Sequence, residues 1–553
     1  MRKFLLLSCV LAFFSCQSLS EKGIESKKNE KEFVWEGANV YFLLTDRFKN
    51  ADPLNDINFN RKDDAAKLRG FQGGDIKGIT QKINEGYFTK LGINAIWMTP
   101  IVEQIHAGTD EGTGKSYAYH GYWTRDWTAI DPNFGTKAAL KELVATAHKN
   151  GIRILLDAVV NHTGPVTDED PVWPEDWVRT SPPCDYSNYE NTVACTLVEN
   201  LPDIRTESNE NVALPPHLVA KWKAAGTYAQ EVKELDAFFA RTGYPRAPRF
   251  YIFKWLTDYI TEYGIDGYRV DTVKHTEASI WQEFRTECDY SFAEYKKQHP
   301  EKVLDNNDFY LVGEVYNYGI SSGTVFDFGD KKVDYYDKAF NSLVNFDLKW
   351  NATQMTAKDV FYTYDSILNT NLKGYGVLNY LSSHDDGAPF DKARKNPFKT
   401  AEMLLLTPGT SQVYYGDESA RALLVDQATG DANLRSLMNW DKIKKDLTTQ
   451  SILAHWQKIG QFRADHPAVG AGKHQIISSE NGLVFSRVRN NDQVIVGVGL
   501  PEGKKVMDVS SIFKNEGQLR EAYSQQVVTV KEGKVAITSK ASVVLLERVV
   551  LLE

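Results

Sequence analysis

The run Gly267-Tyr-Arg-Val-Asp271-Thr-Val-Lys274-His275 decides the fold. It begins as a short strand and ends in a burst of charge, the pattern of a buried strand whose carboxyl end opens onto a polar site. Seven other short β-rich runs, at 40–44, 95–98, 152–156, 310–312, 344–346, 377–381 and 412–415, alternate with helical stretches. Alternation of this kind gives βαβ units, and closing eight of them buries every strand on both faces. The predicted fold is therefore α/β, a (β/α)8 TIM barrel, with an open doubly wound sheet as the alternative.

Working outward, about a hundred residues separate the third run from the fourth, which requires an insertion. The stretch after Asn161 is rich in Pro, Asn, Asp and Trp and lacks sustained periodicity, so it reads as an irregular lobe over the barrel mouth. Past a helix near 452–462 the pattern turns to alternation with turns at 482–486, 493–496 and 526–537, which predicts an antiparallel β-domain. The expected division is signal 1–15, tether 16–32, barrel 33–160 and 249–466, inserted lobe 161–248, and C-terminal β-sandwich 467–553.

Arg2 and Lys3 followed by an apolar run to Phe14 read as a secretion signal, and Phe14-Ser15-Cys16 resembles the cleavage box of bacterial lipoproteins, with Cys16 as the acylated residue. The chain is expected to be exported, touching membrane only through that anchor. Cys184 and Cys195 lie close in a loop-rich stretch of an exported chain, the setting for a disulfide, while Cys288 sits in a helical pattern as a buried thiol. A formal charge of −9 argues against a nucleic-acid partner, because that binding draws on Lys and Arg. A neutral or small polar substrate fits better.

Barrel enzymes carry their reactive groups at the carboxyl ends of the strands. Four ends here are dense in charge: Asp157 with Asn161 and His162, Arg269 with Asp271, Lys274 and His275, Glu314, and His384 with Asp385. Arg269 and Asp271 stand two apart, so both project from one face and a guanidinium can hold Asp271 ionised, as a nucleophile requires. Glu314 faces other carboxylates in a partly dry cleft, which raises its pKa and suits a general acid. Adjacent strands lie about 4.8 Å apart, close to the separation of the two carboxyl groups in a retaining glycosidase. Asp385 can stabilise positive charge on a sugar ring, and His162 and His384 can donate to its hydroxyls. A single His or Asp at a strand end is usually a loop cap; four such ends together are not so explained.

These segments resemble the signature regions of glycoside hydrolase family 13, the α-amylase family, in the order Asp157-xxx-Asn161-His162, Gly267-x-Arg269-x-Asp271-xx-Lys274-His275, Gly313-Glu314-Val315-Tyr316 and Ser383-His384-Asp385. Runs such as Tyr117-Ala-Tyr-His-Gly-Tyr122 are similar to those of periplasmic maltodextrin-cleaving members from Gram-negative bacteria. The resemblance implies Asp271 as nucleophile, Glu314 as acid/base and Asp385 as stabiliser. It places His120, Tyr122, His162, Arg269 and His384 around the reacting sugar, Lys274 and His275 on the leaving-group side, and Asp431 with Arg435 on a more distant glucose. It also implies structural calcium held by Asn161, Asp203 and the carbonyl of His275, and a second calcium loop of Asn50, Asp52, Asn55, Asp56, Gly73 and Asp75, for which an Asx-rich turn is the alternative. The expected substrate is an α-glucan or maltooligosaccharide, and the expected state a periplasmic or cell-surface monomer. A transglycosylase, a cyclodextrin-degrading enzyme and a non-catalytic starch-binding protein stay open as alternatives. Aromatics make up 12% of the chain, and Trp97, Trp123, Trp127, Trp173 and Trp177 are expected mostly as core.

Overall fold

Eight short runs of apolar and β-branched residues each form a strand with every residue buried, as a parallel sheet covered on both faces demands. In the computed structural model, which describes residues 32–549 apart from Asp63 and Glu111, they are β1 (Asn39–Leu43), β2 (Ala95–Met98), β3 (Arg153–Ala158), β4 (Gly267–Val270), β5 (Tyr310–Gly313), β6 (Ser342–Asn345), β7 (Gly376–Asn379) and β8 (Thr410–Tyr414). Each pairs in parallel with its neighbours, and β8 closes on β1 to make the barrel. The signal, the tether and Cys16 lie outside the described residues.

Two connections at the carboxyl end are long. Between β2 and β3 the chain forms the hairpin Val102–Gln104 with Thr124–Ile130, and the loop it spans carries His120 and Tyr122. Between β3 and β4 the chain is irregular as far as Pro215, pinned by the ladder Val178–Arg179 with Asp203–Ile204 and by a disulfide joining Cys184 to Cys195. From Pro216 it departs from the irregular lobe expected across 161–248. Helices Pro216–Ala225 and Tyr228–Thr242 follow, ended by Gly226 and Gly243 in the left-handed conformation that glycine adopts without a steric cost. Their buried Leu218, Trp222, Leu235, Phe238 and Phe239 join the main barrel core. Trp127, Trp177 and Trp222 pack around Trp255 of the barrel helix Pro248–Tyr263, and Trp173 packs on Trp127 and Trp177, so Trp127, Trp173 and Trp177 are core, as expected.

After helix Leu447–Asp465 the chain forms a six-stranded and a two-stranded antiparallel sheet. Alternation decides which side each residue serves. Phe485, Val494, Val496 and Leu545 join the barrel core, whereas Val484, Ile495, Val544 and Leu546 pack a second core with Leu519, Val535 and Ile537. His466 ties the junction, bonding Asp492 (2.7 Å) and Glu547 (2.5 Å). Burial alone would lower its pKa, but the two carboxylates outweigh this and raise it to about 9. A group raised in the folded state stabilises fully below its unfolded pKa of about 6.5 and stops stabilising as pH climbs through about 9. We expect the melting temperature to decline between those values in the wild type and to lose most of that decline in His466→Gln; identical pH profiles would remove His466 as the cause.

Candidate active site

β4 and β5 are in register with Val270 opposite Gly313, so the next residues, Asp271 and Glu314, come off adjacent strands side by side. On the other flank Arg269 pairs with Asp157 of β3. Three carboxylates therefore surround one guanidinium. Arg269 reaches Asp271 at 2.6 Å, Glu314 at 2.8 Å and Asp157 at 3.0 Å, with only 2% of its side chain exposed. Asp157 also accepts from the Trp97 indole (3.0 Å) and the Tyr122 hydroxyl (2.8 Å), and so orients both the arginine and the tyrosine.

Loss of hydration lifts the Glu314 carboxyl to about 8; Arg269 opposes the rise, and the charges of Asp271 and Asp385 add to it. The second Glu314 oxygen accepts the backbone N–H of Thr272 at 3.0 Å, and Thr272 takes a left-handed φ of 49° to offer it. Burial and Asp271 likewise push Asp157 to about 7 against the pull of Arg269. Asp385 faces the same space. Its carboxyl is raised by desolvation and by Asp386 despite Arg269 and Arg435, and its nearest hydrogen-bond partner is the Ser383 hydroxyl at 3.3 Å.

Asp271, Glu314 and Asp385 line a cavity of about 610 Å³ with His120, Tyr122, His162, Lys274, His275, His384, Asp431 and Arg435; of the predicted catalytic and sugar-contacting residues Arg269 alone is not in the lining and meets it through Asp271 and Glu314. His120 accepts the Tyr122 N–H on Nδ1 (3.0 Å), which leaves its proton on Nε2. Burial, then Arg435, holds both His120 and His384 well below the usual histidine range, so both are neutral. His162 Nε2 lies 3.1 Å from the Tyr122 carbonyl, a contact that fixes the loop carrying Tyr122. Lys274 lies over Tyr316, 5.2 Å from the ring centroid, and desolvation lowers its pKa.

Sequence reading missed Arg69 and Tyr316. Arg69 bonds Asp431 (2.7 Å) opposite Arg435 (2.7 Å), so the pair expected at a more distant glucose is part of a two-arginine clamp on one carboxylate. Tyr316, 48% exposed, adds an aromatic wall. Nothing in the run Leu68-Arg69-Gly70 signals its role, which exists only once the turn Gly430–Arg435 folds onto it.

Residues 42–472 match the family model of the α-amylase catalytic domain. The chain belongs to the α-amylase family of glycoside hydrolases. It is 37% identical over 525 residues to the periplasmic α-amylase of Escherichia coli, covering 84% of this chain and 72% of that protein. A cyclomaltodextrin glucanotransferase of Thermoanaerobacterium thermosulfurigenes is 24% identical over 531 residues, spanning 89% of this chain and 64% of that one. Among solved structures, an α-amylase from Geobacillus thermoleovorans complexed with acarbose has the same fold, with a TM-score of 0.64, 24% identity, and coverage of 94% of this chain and all of that one. As a member of the family the chain is an enzyme acting on α-glucans.

The two expected calcium sets differ. Asn161 Oδ1 and Asp203 Oδ1 are buried without a hydrogen-bond partner. The other Asp203 oxygen is ion-paired with Arg179 Nε at 2.8 Å. Such orphaned oxygens fit a hard cation. In the amino-terminal loop the carboxylates each accept at least one hydrogen bond. Asp75 accepts from Ala51 (2.9 Å), Asp52 (2.8 Å) and Gly78 (2.6 Å), Asp52 holds Lys77, and Asp56 takes the Asn50 amide. Asn50 Oδ1 and Asn55 Oδ1 are buried there without a partner, and a Cβ on Gly73 would strike Asn50 and Asp56. The loop thus keeps both its readings, an Asx-rich turn and a cation site, with Gly73 admitting the close approach in either. Among the described residues, no three His, Cys, Asp or Glu side chains form a metal-holding group.

Proposed function

We propose that this enzyme is an exported, retaining α-amylase that hydrolyses α-1,4-glucosidic bonds of starch, glycogen or maltodextrins. The observation that carries the reading is the placement of Asp271 and Glu314 side by side on adjacent strands, sharing one guanidinium at the wall of a sugar-sized cavity. Retention needs two carboxyl groups about 5 to 5.5 Å apart, which neighbouring strand ends supply. Glu314 enters as the acid and protonates the leaving glycosidic oxygen while Asp271 attacks the anomeric carbon. The Glu314 carboxylate then takes a proton from water as the water oxygen attacks the anomeric carbon, which breaks the ester bond and frees the Asp271 carboxylate. Asp385 stabilises the positive ring in both steps, and Tyr122 and His120 hold the sugar against the wall. Export is supported by the N-terminal signal pattern and by the periplasmic relative.

Reducing-sugar release from soluble starch tests the activity directly. Steady release with α-configured products is expected; starch retained without product would leave only a binding protein, and cyclic or chain-extended products would favour the transfer reaction of the glucanotransferase relative. Calcium, when bound, would fix the segment after β3 to the barrel through Asn161 and Asp203, with the His275 carbonyl as the family resemblance has it. Chelator is expected to lower the melting temperature by a few degrees, because a ligand that binds only the folded state stabilises by mass action. A melt unmoved by chelator would remove calcium from this reading.

A further inference from the structure

Twelve tryptophans occur in the chain, and only Trp350 is exposed, at 48%. It lies in helix Leu348–Gln354, which begins three residues after β6 ends and so stands at the same barrel end as Glu314 and Asp385. Its helix neighbours Leu348, Lys349 and Ala352 are buried. The Lys349 ammonium is 4.8 Å from the indole centroid and is paired with Asp386, whose Oδ2 also accepts the Tyr380 hydroxyl at 2.6 Å. The ring thus rests on a cation that is itself anchored beside Asp385. Phe346, four residues earlier, packs edge-on against Tyr316, 5.2 Å between centroids, and Tyr316 forms the cavity wall.

Trp350 keeps about half of its surface in water, more than any of the other eleven, and at this barrel end that leaves a flat apolar face open to a ligand. Glucose presents an apolar face rimmed by hydroxyls, and a flat aromatic held from behind by an anchored charge matches that face with little ordering cost. We propose that Trp350 is an outer glucan subsite, stacking a glucose unit of an α-glucan chain where the chain leaves the cavity past Tyr316. The assignment rests on the α-glucan-cleaving reading above. A chain too short to reach beyond the cavity gains nothing from the platform; a long one gains affinity.

The test compares maltotriose with maltoheptaose as substrates for the wild type, Trp350→Ala and Trp350→Phe. Trp350→Ala is expected to lower kcat/KM on maltoheptaose at least about five-fold more than on maltotriose, mainly through KM, with Trp350→Phe recovering most of the difference. Equal losses on both substrates, or none on maltoheptaose, would overturn the outer subsite while leaving the hydrolase intact. Failure of the wild type to cleave either substrate would instead overturn the reading on which it rests.

Discussion

Asp271→Asn is expected to give a folded protein whose release of reducing sugar from soluble starch is slowed at least about 10³-fold, the scale seen when a covalent nucleophile is removed. The amide has the carboxylate's shape and can still accept from Arg269, which keeps Asp157 and Glu314 as partners, so the fold has no reason to change. What is lost is the negative oxygen that forms the glycosyl ester. Circular dichroism and melting temperature should match the wild type while turnover disappears. Turnover within ten-fold of wild type would mean that another group attacks, and the assignment would fall.

Glu314→Gln is expected to cost about 10² to 10⁴ in kcat on starch, the range of general acid catalysis, and less on an aryl maltoside whose leaving group needs no proton. The pH profile carries the second half of the argument. With its carboxyl lifted to about 8, chiefly by desolvation, Glu314 is protonated below that value and ionised above it. Activity that depends on the acid form therefore persists through neutrality and falls as pH rises through about 8. A kcat/KM profile flat to well beyond that point would show that the acid is a different group.

The barrel was legible because each strand is short, apolar and punctuated by turn residues, and the site because charge accumulates where those strands end. Each of the eight expected runs coincides with a barrel strand to within a few residues. The helical half of the β3–β4 insertion was hidden by sparse anchoring: helix Pro216–Ala225 buries only Leu218 and Trp222, too few apolar positions for a period to stand out. Arg69 and Tyr316 were hidden for a different reason, since each acquires its role from a partner distant in sequence. The Asx-rich loop carries the right residue types for a cation, but whether its oxygens are free depends on backbone N–H groups whose directions a sequence does not display.

A guanidinium is planar and rigid, and its donors keep a fixed fork. Because Arg269 joins Asp157, Asp271 and Glu314 at once, the span between the Asp271 and Glu314 carboxyl groups is gauged by the bond lengths of one side chain. Drift in the long loops above can alter which sugars enter, yet the spacing of the two carboxyl groups, on which the proposed retention depends, is insulated from it. A flexible ammonium at that position would carry the same charge without the jig.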